Sequence, residues 1–111
     1  MKDSGHSFSS YFKRAANPLL VLALLKERPM YGYEISYEID LRSKGQFAIS
    51  VLYPILYNLK GKGFIEDGGV EIADGRARSY YRITGAGIEY LDNTLKEFSE
   101  LYEAFLKITH S

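Results

Sequence analysis

Cysteine and tryptophan are absent from this 111-residue chain, histidine occurs twice and proline three times. Without cysteine there is no disulfide framework and no thiolate metal site. His6 and His110 sit near opposite termini, away from any carboxylate pattern, so neither a metal ligand nor a histidine-based triad is expected. The glycines form neither a dinucleotide fingerprint nor a phosphate-binding loop, so no cofactor is expected. Long apolar runs are missing too. The longest, residues 19–25, has seven members, against the roughly 18–20 that a membrane span needs. The N-terminus carries no signal-like hydrophobic region. These absences argue against an enzyme and against a membrane partner, and the expected location is the cytoplasm.

An excess of one charge is also lacking. Fourteen Lys and Arg balance fourteen Asp and Glu, which at first counts against a polyanionic partner, because phosphate neutralisation needs surplus cations. The distribution is more telling. Residues 1–83 hold 12 basic and 9 acidic side chains, and residues 84–111 hold 2 and 5. A mildly basic body with an acidic tail fits a chain whose last segment faces away from a polyanion.

What is present suits one globular domain burying about two-thirds of its unfolded surface. Residues 1–16 read as an N-terminal arm or short helix with Phe8, Tyr11 and Phe12 on one face. Asn17-Pro18 then opens a helix, Asn as N-cap and Pro at the first helical position. Its apolar run predicts central burial, and Pro29 stops it. A second helix begins at Tyr31-Gly32-Tyr33-Glu34-Ile35 and reaches about Arg42, with Ile35, Ile39 and Leu41 as core and Glu34, Glu38 and Asp40 as a solvated face. Phe47 and Ile49 alternate like a short strand. Ser50 caps a third helix running to about Lys62, with Leu52, Ile55, Leu56 and Leu59 facing inward. Gly61 and Gly63 close it. Two strands flank Asp74-Gly75, a hairpin signal, and Thr84 caps a last helix of about 25 residues.

The order helix, helix, helix, hairpin, helix predicts a mainly α fold with a small β-hairpin. It reads as a winged helix-turn-helix over residues 17–83 and a long C-terminal dimerisation helix over residues 84–111. A short helix followed by a basic-tipped hairpin is suited to double-stranded DNA, the helix in the major groove and the wing along the backbone. Ser50, Val51 and Tyr53 occupy the entering end of the third helix, with Tyr57 and Lys60 one turn on. Arg76 and Arg78 alternate at the wing tip, where they can flank phosphates.

Four motifs make the reading more specific: Tyr31-Gly32-Tyr33-Glu34-Ile35, Leu52-Tyr53-Pro54-Ile55-Leu56, Leu59 through Gly63-Phe64-Ile65, and Gly75-Arg76-Ala77-Arg78-Ser79-Tyr80-Tyr81-Arg82-Ile83-Thr84 followed by Gly87. In this order and spacing, over roughly residues 17–92, the chain resembles the PadR family of bacterial winged-helix transcriptional regulators. The resemblance implies a homodimer that binds an inverted-repeat operator and represses transcription. It assigns DNA contact to Tyr53 and its neighbours on the third helix and to Arg76 and Arg78, and Tyr31 and Tyr33 are further candidates for it. Two positions depart from the pattern. Ala77 stands where many members have proline, and Gly61 where a helix-favouring residue is usual.

In the last helix Ile88, Leu91, Leu95, Phe98, Tyr102 and Phe105 follow steps of three and four, a heptad seam that Leu101 widens. So small a domain cannot cover such a seam alone, and a second copy is the natural cover. Short members of the resembled family include multidrug-responsive regulators with an aromatic residue facing a cavity between subunits. Phe98 falls at the matching place, with Tyr11, Phe12 and Tyr102 as further candidates for holding a small aromatic or hydrophobic effector. The rival expectation is a winged-helix module that binds a ligand or a protein without binding DNA.

Overall fold

The computed structural model describes residues 7–110; His6, expected to play no metal role, lies outside them. Helix α1 (Phe8–Glu27) is followed by strand β1 (Met30–Tyr31), helix α2 (Gly32–Arg42), helix α3 (Tyr53–Gly61), strands β2 (Ile65–Ala73) and β3 (Arg76–Ile83), and helix α4 (Gly85–Thr109). The fold is the expected winged helix-turn-helix with a long terminal helix. None of the described helices is long and apolar enough to cross a membrane.

Helix α1 corrects one expectation. It starts at Phe8, its N-cap Ser7 accepting a hydrogen bond from the Ser10 amide at 3.1 Å, and runs unbroken through Pro18. Asn17, expected as a cap, is therefore mid-helix, and its buried Oδ1 has no hydrogen-bond partner among the described residues. A mid-helix proline removes a backbone donor at a cost of about 3 kcal/mol. Tertiary packing offsets that cost: the Phe12 ring sits 6.1 Å from both Phe47 and Phe98, which anchors the half of the helix before the proline. The other half behaves as expected, burying Val21, Leu22, Leu24 and Leu25 and ending at Glu27.

The core gathers these residues with Met30, Ile35, Ile39, Leu52, Leu56, Leu59, Ile65 and Leu91, each contributing about 1.5–3 kcal/mol relative to exposure. Leu41, expected inside, is 56% exposed; it lies in the last turn of α2, on the face turned away from the core. Phe47 and Ile49 pack against the core without forming a strand. The third strand is instead β1, which pairs with β3 (Met30 opposite Tyr81, Tyr31 opposite Tyr80). The sheet order is β1-β3-β2, all antiparallel.

Glu34 and Glu38 are not simply solvated. Glu34 accepts from the Tyr31 amide at 3.2 Å and pairs with Arg28 at 3.1 Å. Arg42 Nε reaches Glu38 at 2.9 Å while its fork grips both Glu27 oxygens at 2.7 and 2.9 Å, which holds the Glu27 carboxyl below its ordinary range. The turn at Asp74 (φ 53°) and Gly75 (φ 73°) has the two positive φ angles of a tight hairpin.

One residue joins wing to α4. The Thr84 amide donates to the Phe64 carbonyl at 3.0 Å, its Oγ1 donates to the Gly63 carbonyl at 2.6 Å, and that oxygen accepts from the Gly87 amide at 3.0 Å. Gly87 packs so closely here that a Cβ would collide with the Phe64 carbonyl and lie 2.8 Å from Ile83.

Candidate nucleic-acid interface

The N-terminus of α2, the first turn of α3 and the wing meet around a cleft of about 590 Å³. Tyr31, Gly32, Tyr33, Tyr53, Arg76, Ala77, Arg78, Ser79 and Tyr81 line it. Five of the nine expected DNA-contact residues are thus brought together: Tyr31, Tyr33, Tyr53, Arg76 and Arg78. Gly32 lets Tyr53 lie close, since a Cβ there would stand 3.0 Å from Tyr53 Oη and the ring would have to give by a few tenths of an ångström. In the sequence Gly32 is only part of a motif; in the structure the Tyr53 side chain lies across it.

Helix α3 begins later than expected. Leu52, not Ser50, is its N-cap, and Pro54 occupies the first turn, where little hydrogen bonding is lost. Ser50 and Val51 lie exposed in the approach to the helix. Tyr53 and Tyr57 are 65% and 82% exposed, so the outward face of α3 is open, as anticipated. Leu56 and Leu59 turn the opposite face into the core.

The cations differ in freedom. Lys60 Nζ lies 2.9 Å from both Asp67 oxygens, and this contact raises the Lys60 pKa. Asp67 is an unexpected partner, because it lies seven positions on, past the end of α3 and within β2. Arg78 Nη1 donates to Tyr31 Oη at 3.0 Å, its guanidinium carbon lies 4.7 Å from the Tyr31 ring centroid, and Nη2 stands 3.8 Å from Asp74. Arg76 is exposed and has no side-chain partner among the described residues. Tyr80, on the same strand, donates to Glu71 at 2.9 Å, which raises its pKa. Burial does the same for Tyr81, with the nearby Tyr53 hydroxyl adding to it.

The expected effector residues separate. Phe12, Phe47, Leu95, Phe98 and Leu101 help line an apolar cavity of about 580 Å³ between α1 and α4. Tyr102 stacks on Phe98 at 6.0 Å but lies off the lining, and so does the exposed Tyr11. The α4 seam also divides. Leu91, expected between subunits, is 2% exposed and belongs to the core of its own chain, and Ile88 is half-buried. From Leu95 onward the stripe opens: Leu95, Phe98, Leu101, Tyr102, Phe105 and Ile108 are all exposed. No cluster suited to a metal ion occurs among the described residues.

Known proteins resemble this chain in sequence and in fold. The profile of the transcriptional regulator PadR-like family matches residues 21–93. An uncharacterised protein of Lysinibacillus sphaericus is 41% identical over 86 residues, which span 76% of this chain and 79% of the relative. Among solved structures, a transcriptional regulator from Clostridium thermocellum superposes with a TM-score of 0.79 at 29% identity, covering 87% of this chain and 96% of its own. A PadR family regulator from Eggerthella lenta shares the fold with a TM-score of 0.78 at 24% identity, over 91% and 88% of the two chains.

Proposed function

We propose a function from one premise: the chain belongs to the PadR-like family of transcriptional regulators, and so is a DNA-binding regulator. Beyond that, we infer a cytoplasmic dimeric repressor that binds an inverted-repeat operator and leaves it when a small aromatic or hydrophobic effector binds. The observation carrying the DNA reading is the cleft in which Tyr31, Tyr33 and Tyr53 meet the wing arginines Arg76 and Arg78. In this reading Ser50, Val51, Tyr53 and Tyr57 approach base edges in the major groove. Lys60 and the wing serve the backbone, and the tyrosine hydroxyls add neutral phosphate donors.

In this reading residues 17–83 meet the DNA and residues 84–111 pair the copies, with residues 8–16, the first half of α1, beside the seam through Phe12 and Phe98. The exposed stripe from Leu95 to Phe105 supports pairing, since a second copy would bury it. Two heads must then sit about one helical turn apart, near 34 Å, to read both half-sites. The Phe12–Phe98 cavity supports an effector site: a ligand binding one dimer shape more tightly than another shifts the population between them.

One observation favours a module without DNA binding. Lys26, Arg28, Arg42, Lys60, Arg78 and Arg82 each already face a carboxylate, which weakens the field available to phosphate. Mobility shift on the DNA upstream of the chain's own gene, at two salt concentrations, separates the readings. The repressor gives a specific shift that weakens steeply with salt. No shift at either concentration would leave the binding module as the better account.

A further inference from the structure

The two wing arginines stand two residues apart, yet their surroundings differ. Arg76 is open to solvent without a side-chain partner among the described residues. Arg78 is 31% exposed; its guanidinium covers the Tyr31 ring, donates to Tyr31 Oη at 3.0 Å and turns its other arm toward Asp74. One of its five N–H donors is spent on Tyr31, and its other arm faces a carboxylate.

Tyr31 is itself held firmly. It caps α2, its amide donates to Glu34, and Glu34 is gripped by Arg28 at the end of α1. Its ring meets Tyr80 edge-on at 5.4 Å. The hairpin tip, by contrast, has few ties to the body. Strand β1 pairs only with Tyr80 and Tyr81, so residues 76–79 have no neighbouring strand on that side. A register break between Asp67 and Gly69, with Gly69 at φ 106°, interrupts the β2–β3 ladder between the body and the tip. Among the described residues, the Arg78–Tyr31 contact is the only side-chain hydrogen bond from residues 69–79 to a residue outside the hairpin.

We propose that Arg78 is a positioning residue: it pins the wing to the N-terminus of α2 through Tyr31, and so sets the angle at which Arg76 meets the DNA backbone. This rests on the DNA-binding reading above, and it splits a pair that the sequence presents as equivalent. A cation that neutralises a phosphate and a cation that orients a wing leave different marks on salt dependence. Each neutralised phosphate contributes about −0.9 to the slope of log K against log salt. With two wings per dimer, Arg76→Ala therefore flattens the slope by roughly 1.8.

Arg78→Ala and Tyr31→Phe each lower operator affinity by about tenfold, the scale of a lost hydrogen bond to a charged group, and leave the slope near that of the parent. The double variant is no weaker than Arg78→Ala alone, because Tyr31→Phe removes only a hydrogen bond that Arg78→Ala already removes. An Arg78→Ala slope as flat as that of Arg76→Ala, or strictly additive losses in the double variant, would overturn the proposal.

The pin can also be tested without DNA. The chain has no cysteine, so Ile72→Cys on the exposed face of the wing accepts a single nitroxide. Tyr31→Phe and Arg78→Ala should each sharpen its spectrum relative to the parent, while Arg76→Ala should not. A spectrum indifferent to all three sinks the pin, whatever DNA does. A parent that binds no DNA while the nitroxide responds sinks the proposed function and leaves the pin standing.

Discussion

Two exposed aromatic surfaces stand at opposite ends of this molecule, and exposure alone does not distinguish them. At the reading end, Tyr33, Tyr53 and Tyr57 are open to solvent, each tipped with a hydroxyl, and the wing arginines stand beside them. Along the outer half of α4, Leu95, Phe98, Leu101, Phe105 and Ile108 are equally open but carry no polar tip except through Tyr102. The first surface can hydrogen-bond whatever covers it, and the second can only be dried. A polyanion fits the former, and a matching apolar stripe fits the latter. The chemistry at the ends of the side chains separates the partners better than the area they expose.

The contrast can be broken at α4 first. Leu101→Glu with Phe105→Glu should yield a monomer by sedimentation at micromolar concentration. Operator affinity should then fall on the order of 100-fold or more, because the two heads no longer bind as one unit. A dimer that survives both changes would move the pairing surface elsewhere.

Next in size is the joint between the two regions. Gly87→Ala forces a methyl group into the Phe64 carbonyl and Ile83. It should cost at least about 2 kcal/mol, seen as a fall of roughly 10 °C in thermal midpoint. An unchanged midpoint would mean that α4 can shift away from the wing without penalty.

The smallest effect sharpens the reading end. Asp67→Asn leaves Lys60 without its carboxylate, and both are exposed. Affinity for random DNA should rise a few-fold, with a salt slope steeper by up to about 0.9 for each Lys60 released to phosphate. An unchanged slope would mean that Lys60 never reaches the backbone.

Much of this architecture was legible because its signals are local. Thr84 as a cap, the Asp74-Gly75 turn and the inward stripe of α3 depend on residues within a few positions of one another, and the structure has them where they were expected. Three features were hidden because they depend on distant partners. Pro18 reads as a helix start until Phe12 is seen against Phe47 and Phe98. A two-residue strand at Met30 has no pattern of its own and exists only through β3. The seam of α4 is continuous in sequence, but the body of the domain claims Leu91 and leaves Leu95 onward open. Residue type and position alone point to the DNA-contact candidates. Which of them are already engaged, as Lys60 is by Asp67 and Arg78 by Tyr31, is visible only in three dimensions.

A single residue, Thr84, separates β3 from α4, and it is hydrogen-bonded on both sides. The wing and the terminal helix therefore meet at a stiff elbow with almost no slack. A helix of 25 residues is about 37 Å long at 1.5 Å per residue. Its first turns are held by the core through Leu91 and by Lys26, which pairs with Asp92, while the stretch from Leu95 onward reaches past them. A tilt of about three degrees over the whole helix would move the far end by roughly 2 Å.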